Sequence, residues 1–126
     1  MGRVMVLEPH EAVGKALVSR LRQAGMEARL CPDYAAALPT AQALHPDLIL
    51  IEPQAERGME TLAALRRAFP RLPILVLTVY LDERTRAWAE AAGATNCLLK
   101  RLEGDALLRC IEAALEEALS CEARGG

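Results

Sequence analysis

An unbroken apolar run, Leu48–Ile51, stands between Asp47 and Glu52. A run of this length without polar alternation is typical of a parallel strand that is covered on both faces. Strand-like segments of this kind recur along the chain, at 3–7, 27–30, 47–51, 73–77 and 95–99. Segments with helical spacing separate them, which predicts repeated βα units whose right-handed crossovers place helices on both faces. We therefore expect one α/β domain with a doubly wound, parallel (βα)5 sheet.

Apolar spacing also predicts which helix faces pack on this sheet. The expected core positions are Val13, Leu17, Leu21 and Ala24 in the first helix, Leu62, Leu65 and Phe69 in the third, and Leu107, Ile111, Ala114, Leu115 and Ala118 in the fifth. Gly25 is expected just after the first helix, because glycine favours that position. Pro70 and Pro73 mark the exit from the third helix.

The second and fourth helices are predicted from their ends. Asp33 is a candidate N-cap for the second, but Pro39 would lack the N–H that an uninterrupted helix needs there. We expect either a kink, or a short turn followed by a helix with Pro39 in its first turn. Asp82 is placed to cap the fourth helix, which runs to about Ala92 and is closed by Gly93.

The composition limits the classes of function. The chain has 126 residues, 52% of them hydrophobic, which is enough for one sizeable core. Its net charge of −2, with acids and arginines interspersed, gives no basic surface for nucleic acid or an anionic membrane. No apolar run is long enough to span a bilayer, and the N-terminus shows no signal-peptide pattern. We expect a cytoplasmic domain at 1–121 and a frayed tail at 122–126.

The four cysteines show no paired C-x-x-C spacing, so the usual zinc and dithiol signatures are missing from the sequence. We expect reduced thiols. Cys110 is expected to pack against the core, and Cys121 to be exposed.

Four polar residues end the strand-like segments. Glu8, Glu52, Thr78 and Lys100 each follow or close an apolar run. Because ligands of open α/β sheets bind where the strands end, these two acids, one hydroxyl and one ammonium are expected along a single edge. Lys100 is one of only two lysines beside thirteen arginines, so its type is not explained by composition.

With these elements in this order, the sequence resembles the receiver domain of bacterial response regulators over nearly all of its length. The stretch 45–52 is similar to the family's third strand, 58–66 to its third helix and 73–78 to its fourth strand. Gly93, Ala94 and Lys100 complete the pattern at the expected spacing. The resemblance implies a flavodoxin-like sheet with strand order 2-1-3-4-5.

The resemblance also implies a site. In the family, two acids after the first strand and an aspartate after the third hold Mg²⁺, and the aspartate receives a phosphoryl group from a histidine kinase. Thr and Lys, here Thr78 and Lys100, bind the phosphoryl oxygens. Phosphoryl transfer depends mostly on positioning and charge neutralisation, which is why these groups converge on one carboxylate.

This chain departs from the family pattern at the metal-binding and phosphoacceptor positions. Glu8 and Pro9 stand in place of the acid pair, and Glu52 in place of the acceptor aspartate. One metal ligand is lost and another is lengthened, so a Mg²⁺ site built on Glu8 and Glu52 is expected to be weak or absent. The extra methylene of Glu52 moves its oxygens by more than about 1 Å, and a misplacement on that scale costs on the order of a hundredfold in rate.

Three further departures lie near the same edge. The loop at 53–58 is shorter than the family's by two residues. Arg101 replaces a proline that forms a cis peptide in the family, and because such a bond costs roughly 3 kcal/mol without proline, we expect a trans bond and a rearranged loop. Cys97 replaces the aromatic residue that moves with the Thr on phosphorylation, so the switch pair Thr78 and Cys97 is expected not to work in the usual way.

Each of these residues also has a simpler interpretation. Glu52 alone could be a surface acid at a strand end, but an unpaired charge at the centre of the sheet is costly. We hypothesise that its longer side chain reaches toward Thr78 and Lys100 and so replaces the phosphorylated state. Trp88, in the fourth helix, is expected to pack in the core; the alternative is a partner anchor, with Arg101, on the surface that the family uses for interactions.

Two groups of residues in the sequence suggest other kinds of site. Glu8, His10 and Glu52 could form a transition-metal site, although a histidine at a helix start is more often a capping or surface residue. Gly14 and Lys15 do not form a phosphate-binding loop, because Pro9 and Ala16 stand where that motif needs a glycine and a hydroxyl.

The sequence thus predicts a receiver-like signalling domain without catalytic activity that acts as a constitutive protein-interaction module. Its partner would be a histidine kinase or an output protein, and a weak homodimer is compatible with the fold. One alternative is a receiver that is still phosphorylated, at Glu52 or with a different metal set. The other is a small flavodoxin-like enzyme or metal-binding protein.

Overall fold

The computed structural model describes residues 2–53, 55–79, 81–100 and 105–123. Strands and helices alternate along the chain. The strands are β1 (Arg3–Leu7), β2 (Glu27–Cys31), β3 (Leu48–Ile51), β4 (Ile74–Thr78) and β5 (Asn96–Leu99). The helices are α1 (Glu11–Gln23), α2 (Ala37–Leu44), α3 (Ala55–Ala68), α4 (Glu83–Ala92) and α5 (Ala106–Ala123), with a 3₁₀ turn at Tyr34–Ala36 before α2.

The strands form one parallel sheet in the order β2-β1-β3-β4-β5, as expected. β3 is the central strand, and Leu50 is in register with Val6 of β1 and Leu75 of β4. All four residues of β3 are buried, which agrees with its unbroken apolar sequence. Because the strands are parallel, their carboxyl ends meet at one edge of the sheet.

Side chains of the sheet alternate between two hydrophobic layers. One layer joins Met5, Ile49 and Val76 of the sheet to α2, α3 and α4. The other joins residues such as Val6 and Leu50 to α1 and α5. The core positions expected in α3 and α5 are buried or partly buried.

The predicted core stripe of α1 is partly wrong. Leu21 is fully buried, but Val13 is 43% exposed, and the buried face of α1 is Gly14, Val18 and Leu21. The reason lies in Gly14, which packs so closely on β2 that an added Cβ would lie 2.4 Å from a methyl group of Leu30. With Gly14 against the sheet, the neighbouring Val13 is left partly exposed to solvent.

The predicted helix ends agree with the structure. A short turn precedes α2, and Pro39 lies in the first turn of that helix. The Asp82 carboxylate accepts a hydrogen bond from the Thr85 N–H at 2.7 Å, which caps α4. Gly93 closes α4 with a φ of 109°, and Gly25 follows α1 with a φ of 91°, both in the left-handed region that favours glycine.

The remaining expectations concern the thiols and the tail. Cys31 and Cys97 are buried free thiols, and Cys110 is half-buried against the layer beside α5. The side chain of Cys121 lies outside the described residues. α5 continues to Ala123, and 124–126 lie outside the described residues. None of the described helices has the length and apolar character needed to cross a membrane.

Candidate functional site

Four polar residues from different strands meet at the carboxyl edge of the sheet. Glu8 follows β1, Glu52 follows β3, Thr78 is the last residue of β4 and Lys100 follows β5. Backbone hydrogen bonds fix two of them, since the N–H of Glu52 donates to the Leu7 carbonyl at 2.9 Å and that of Lys100 to the Thr78 carbonyl at 2.7 Å. The order of the sheet therefore brings together side chains that are far apart in sequence.

The Lys100 ammonium lies between the two carboxylates. Its Nζ contacts Glu8 Oε1 and lies 3.3 Å from Glu52 Oε2. The side chain of Glu8 is 3% exposed, that of Glu52 17% and that of Lys100 19%, so this cluster is largely withdrawn from water. A compact ammonium on a flexible stem can bridge two carboxylates in so small a space, whereas a planar guanidinium needs more room.

The electrostatics of the cluster are unbalanced, because two carboxyl groups share one ammonium. Burial raises the pKa of Glu52 above its ordinary value, and the nearby Lys100 charge opposes this shift only in part. Burial alone would lower the pKa of Lys100, but its contacts with Glu8 and Glu52 outweigh burial, so that pKa is raised. Lys100 therefore stays charged.

Glu52 Oε2 is buried and makes no well-aligned hydrogen bond with the described part of the chain. Its 3.3 Å contact with the Lys100 ammonium is an ion pair by distance rather than an aligned hydrogen bond. The charge of Glu52 is thus only partly compensated, which agrees with the direction of its pKa.

Tyr34 belongs to the same site, although the sequence reasoning did not select it. Its hydroxyl donates to the Glu52 carbonyl and lies 3.4 Å from the Leu7 carbonyl oxygen. Burial, followed by the charges of Glu52 and Glu8, raises the pKa of Tyr34, so the phenol keeps its proton.

His10 approaches the cluster from the start of α1. Its backbone N–H donates to Glu8 Oε2 at 3.4 Å and its Nδ1 lies 3.6 Å from the same oxygen, but its side chain is 70% exposed. The described residues contain no group of three or more His, Cys, Asp or Glu side chains arranged to hold a metal ion. His10 occupies the N-cap position of α1, the simpler of its two interpretations.

Glu8 and Glu52 are the carboxylates at this edge that would hold Mg²⁺. This ion requires near-octahedral oxygen ligands, and the acids supply most of the charge in its protein sites. Pro9 offers no side-chain oxygen, and the carboxylates of Glu8 and Glu52 both face the Lys100 ammonium, a cation already in contact with them. A second cation placed between the same carboxylates would be repelled by Lys100.

A cavity of about 400 Å³ opens beside this cluster, between α1 and α5. Apolar side chains, among them Val13, Leu17 and Leu107, form most of its wall, and Glu8, Glu52 and Lys100 lie at its polar end. The cavity therefore lies directly beside the edge cluster and is lined on one side by α1.

Three further predicted residues lie on β4, β5 and α4. Thr78 is 5% exposed at the end of β4, and Cys97 is buried in β5, in register with Val76. Trp88 is 44% exposed, so the expectation that it packs in the core is wrong; Ala89 is the fully buried residue of α4 instead. Arg101 and its peptide bond lie outside the described residues.

The loop after Glu52 is tight where it enters α3. A Cβ added to Gly58 would lie 2.7 Å from the Cα of Pro53, closer than side chains and backbone normally approach. The first turn of α3 therefore depends on glycine at 58, because any side chain there would meet the backbone of Pro53.

Comparison with known proteins identifies this arrangement. A family model described as "Response regulator receiver domain" matches residues 4–112. The chain belongs to this family. It is 24% identical over 119 residues to regulatory protein AtoC of Escherichia coli (strain K12), a match that covers 92% of this chain and 26% of AtoC. The receiver domain thus spans about a quarter of the length of that relative.

Solved receiver structures share the fold. The chemotaxis protein CheY4 of Vibrio cholerae is 25% identical, with a TM-score of 0.85 that covers 90% of this chain and 98% of CheY4. NtrX of Brucella abortus, in complex with ADP, is 22% identical with a TM-score of 0.88, covering 98% of this chain and 28% of NtrX. The chain is a receiver domain of a two-component signalling protein.

Proposed function

We propose that this receiver domain signals without being phosphorylated and works as a constitutive protein-interaction module. The observation that carries the proposal is the position of Lys100, whose ammonium is paired with both Glu8 and Glu52. In the phosphorylated family members, the equivalent lysine and threonine bind phosphoryl oxygens. Here a carboxylate of the chain itself already reaches the lysine.

The proposal extends to the metal. Phosphoryl transfer in this family requires Mg²⁺ to neutralise charge, and the donor set around Pro9 and Lys100 is poorly suited to it. The Glu52 carboxylate is also displaced by one methylene relative to an aspartate, which costs on the order of a hundredfold in rate even with the metal bound. The site residues Glu8, Pro9, Glu52, Thr78 and Lys100 then have a structural role, with Mg²⁺ binding weak or absent.

In this proposal, the partner protein binds the surface that carries Trp88. This side chain is 44% exposed on α4, and exposed tryptophans are favoured as anchors at the centre of interfaces. Cys97 cannot act as the aromatic half of the usual switch pair with Thr78, so the surface would keep one state. The partner is a histidine kinase or an output protein of a two-component or related pathway in the cytoplasm; a weak homodimer is a further expectation.

The response of the backbone amide NMR spectrum to Mg²⁺ with beryllium fluoride, a phosphoryl analogue, tests the proposal. We expect the native chain to show no shifts in β4, α4 and β5 on addition of both. The matched variant carries Pro9→Asp and Glu52→Asp, which rebuild the acid pair and the acceptor. This variant should show shifts at the amides of Thr78 and Lys100, because both residues are still present to bind the phosphoryl analogue.

A response of the native chain would overturn the proposal. It would favour the alternative that Glu52 is a working phosphoacceptor, or that a different metal set is recruited. The retained Thr78 and Lys100 are the observation behind that alternative.

A further inference from the structure

Tyr34 joins the turn after β2 to the two strands that carry the acids. Its side chain is 7% exposed, and its hydroxyl donates to the Glu52 carbonyl and lies 3.4 Å from the Leu7 carbonyl oxygen. Leu7 directly precedes Glu8, and its carbonyl also accepts the Glu52 N–H at 2.9 Å. One phenol thus contacts the backbone on both sides of the acid cluster.

The Glu52 carbonyl has a particular need for this donor. It lies one residue beyond the end of β3, in a partly buried position. The backbone of Gly58 packs closely on Pro53, the residue that follows Glu52. A carbonyl withdrawn from water without a donor costs free energy comparable to a lost hydrogen bond, so the phenol stabilises the local backbone in this position.

The phenol itself is held firmly. Asp33 caps the 3₁₀ turn by accepting the Ala35 N–H at 3.0 Å, and the Tyr34 ring packs in the layer that contains Leu7 and Ile51. Tyrosine has only two side-chain torsions, so its hydroxyl is placed by the turn with little loss of entropy. The position of the hydroxyl is therefore set by an element outside the two strands that it contacts.

We propose that Tyr34 is a positioning residue that fixes the backbone of Glu52 so that its carboxylate stays within reach of Lys100. The inference deepens the proposed function, on which its signalling meaning rests. In that function the pair between Glu52 and Lys100 replaces the phosphorylated state, and Tyr34 keeps the pair closed. A tyrosine phenol is already protonated at neutral pH, and burial and the two acids raise the pKa of Tyr34 further, so it stays a donor.

A thermodynamic cycle tests this role in the full chain. The coupling between Glu52 and Lys100 is measured by denaturant unfolding of Glu52→Gln, Lys100→Gln and the double variant, first in the native background and then with Tyr34→Phe. We expect a coupling of about tenfold in the unfolding equilibrium constant in the native background. With Tyr34→Phe, which keeps the ring and removes only the hydroxyl, it should fall below about twofold.

The cycle separates positioning from simple packing. If Tyr34→Phe lowers stability but leaves the coupling unchanged, Tyr34 is a core residue only and the proposal is overturned. The proposed function fails by a different result, namely a response of the native chain to Mg²⁺ and beryllium fluoride. The two failures are therefore distinguishable.

A second measurement needs no Lys100 variant, which matters if Lys100→Gln does not fold. Hydrogen exchange is followed at the Glu52 amide, which donates to Leu7, and at the Ile49 amide in the same strand, which donates to Pro73 at 2.9 Å. Tyr34→Phe should accelerate exchange at Glu52 more than at Ile49. Equal acceleration at both amides would contradict the positioning role.

Discussion

Lys100 is the residue on which the arrangement of the site depends. Its ammonium compensates two carboxyl groups, and one of them, Glu8, has a side chain that is only 3% exposed. A buried carboxylate that loses its cation is strongly destabilising, whereas the intact pair contributes little net stability. The importance of Lys100 should therefore appear when it is removed.

Lys100→Gln should lower the free energy of unfolding by about 3 kcal/mol, because it leaves Glu8 without its cation. Lys15, the only other lysine, is exposed in α1 and provides the matched control. Lys15→Gln should change stability by no more than about 0.5 kcal/mol. Urea unfolding of both variants near neutral pH measures the difference, and equal effects would mean that Lys100 is a surface lysine.

The raised pKa of Glu52 predicts that the stability of the folded chain depends on pH with a definite sign. An unfolded glutamate ionises near about pH 4.3, and burial raises the native pKa of Glu52 above that. Between the two values the folded chain binds more protons than the unfolded one, so stability falls as pH rises. Relative to Glu52→Gln, the native chain should therefore lose stability as the pH rises through this window.

Denaturant unfolding of the native chain and Glu52→Gln at several pH values measures this effect. Glu60→Gln, at an exposed position of α3, is the control, and its difference from the native chain should change less with pH. A native chain that gains stability relative to Glu52→Gln as pH rises would show that the Lys100 contact outweighs the cost of burial.

At the scale of elements, α4 connects the fold to the candidate partner surface. Asp82 fixes its first turn, and Gly93 closes it in a conformation that leaves no space for a Cβ beside Arg66. Arg66, from α3, donates to the Gly93 carbonyl at 2.8 Å and to the Phe69 carbonyl at 3.0 Å. The first turn of α4, the helix that carries Trp88, is therefore held by its own cap, and the end of the helix is held to α3 by Arg66.

Asp82→Ala should destabilise the chain in a pH-dependent way. The hydrogen bond from the Thr85 N–H lowers the pKa of Asp82, so the cap contributes stability above the unfolded pKa and loses it as pH falls through the native pKa. The stability difference between the native chain and Asp82→Ala should be largest near neutral pH and shrink below about pH 4. Unfolding curves across that range measure it, and a difference independent of pH would exclude an ionic cap.

At the scale of the whole molecule, the sequence predicts the sheet and the edge cluster but not every contact. The five strands and their order follow from buried runs and from family resemblance, and Glu8, Glu52, Thr78 and Lys100 follow because parallel strands end at one edge. The exposure of Val13 and Trp88 could not be predicted. Helical spacing identifies an apolar face, but it does not fix how the helix is rotated against the sheet, which for α1 depends on the close packing of Gly14. The Tyr34 hydroxyl bond depends on a turn that meets the strands only in three dimensions.

Intact mass after incubation with Mg²⁺ and a small-molecule phosphodonor tests the central claim, that this receiver domain is not phosphorylated because Lys100 is already paired within the chain. The native protein, Glu52→Ala and the variant carrying Pro9→Asp and Glu52→Asp are compared side by side. We predict that the native chain and Glu52→Ala gain no phosphoryl group, whereas the rebuilt variant gains one. A native chain that gains a phosphoryl group, lost in Glu52→Ala, would contradict the account and identify Glu52 as a working acceptor.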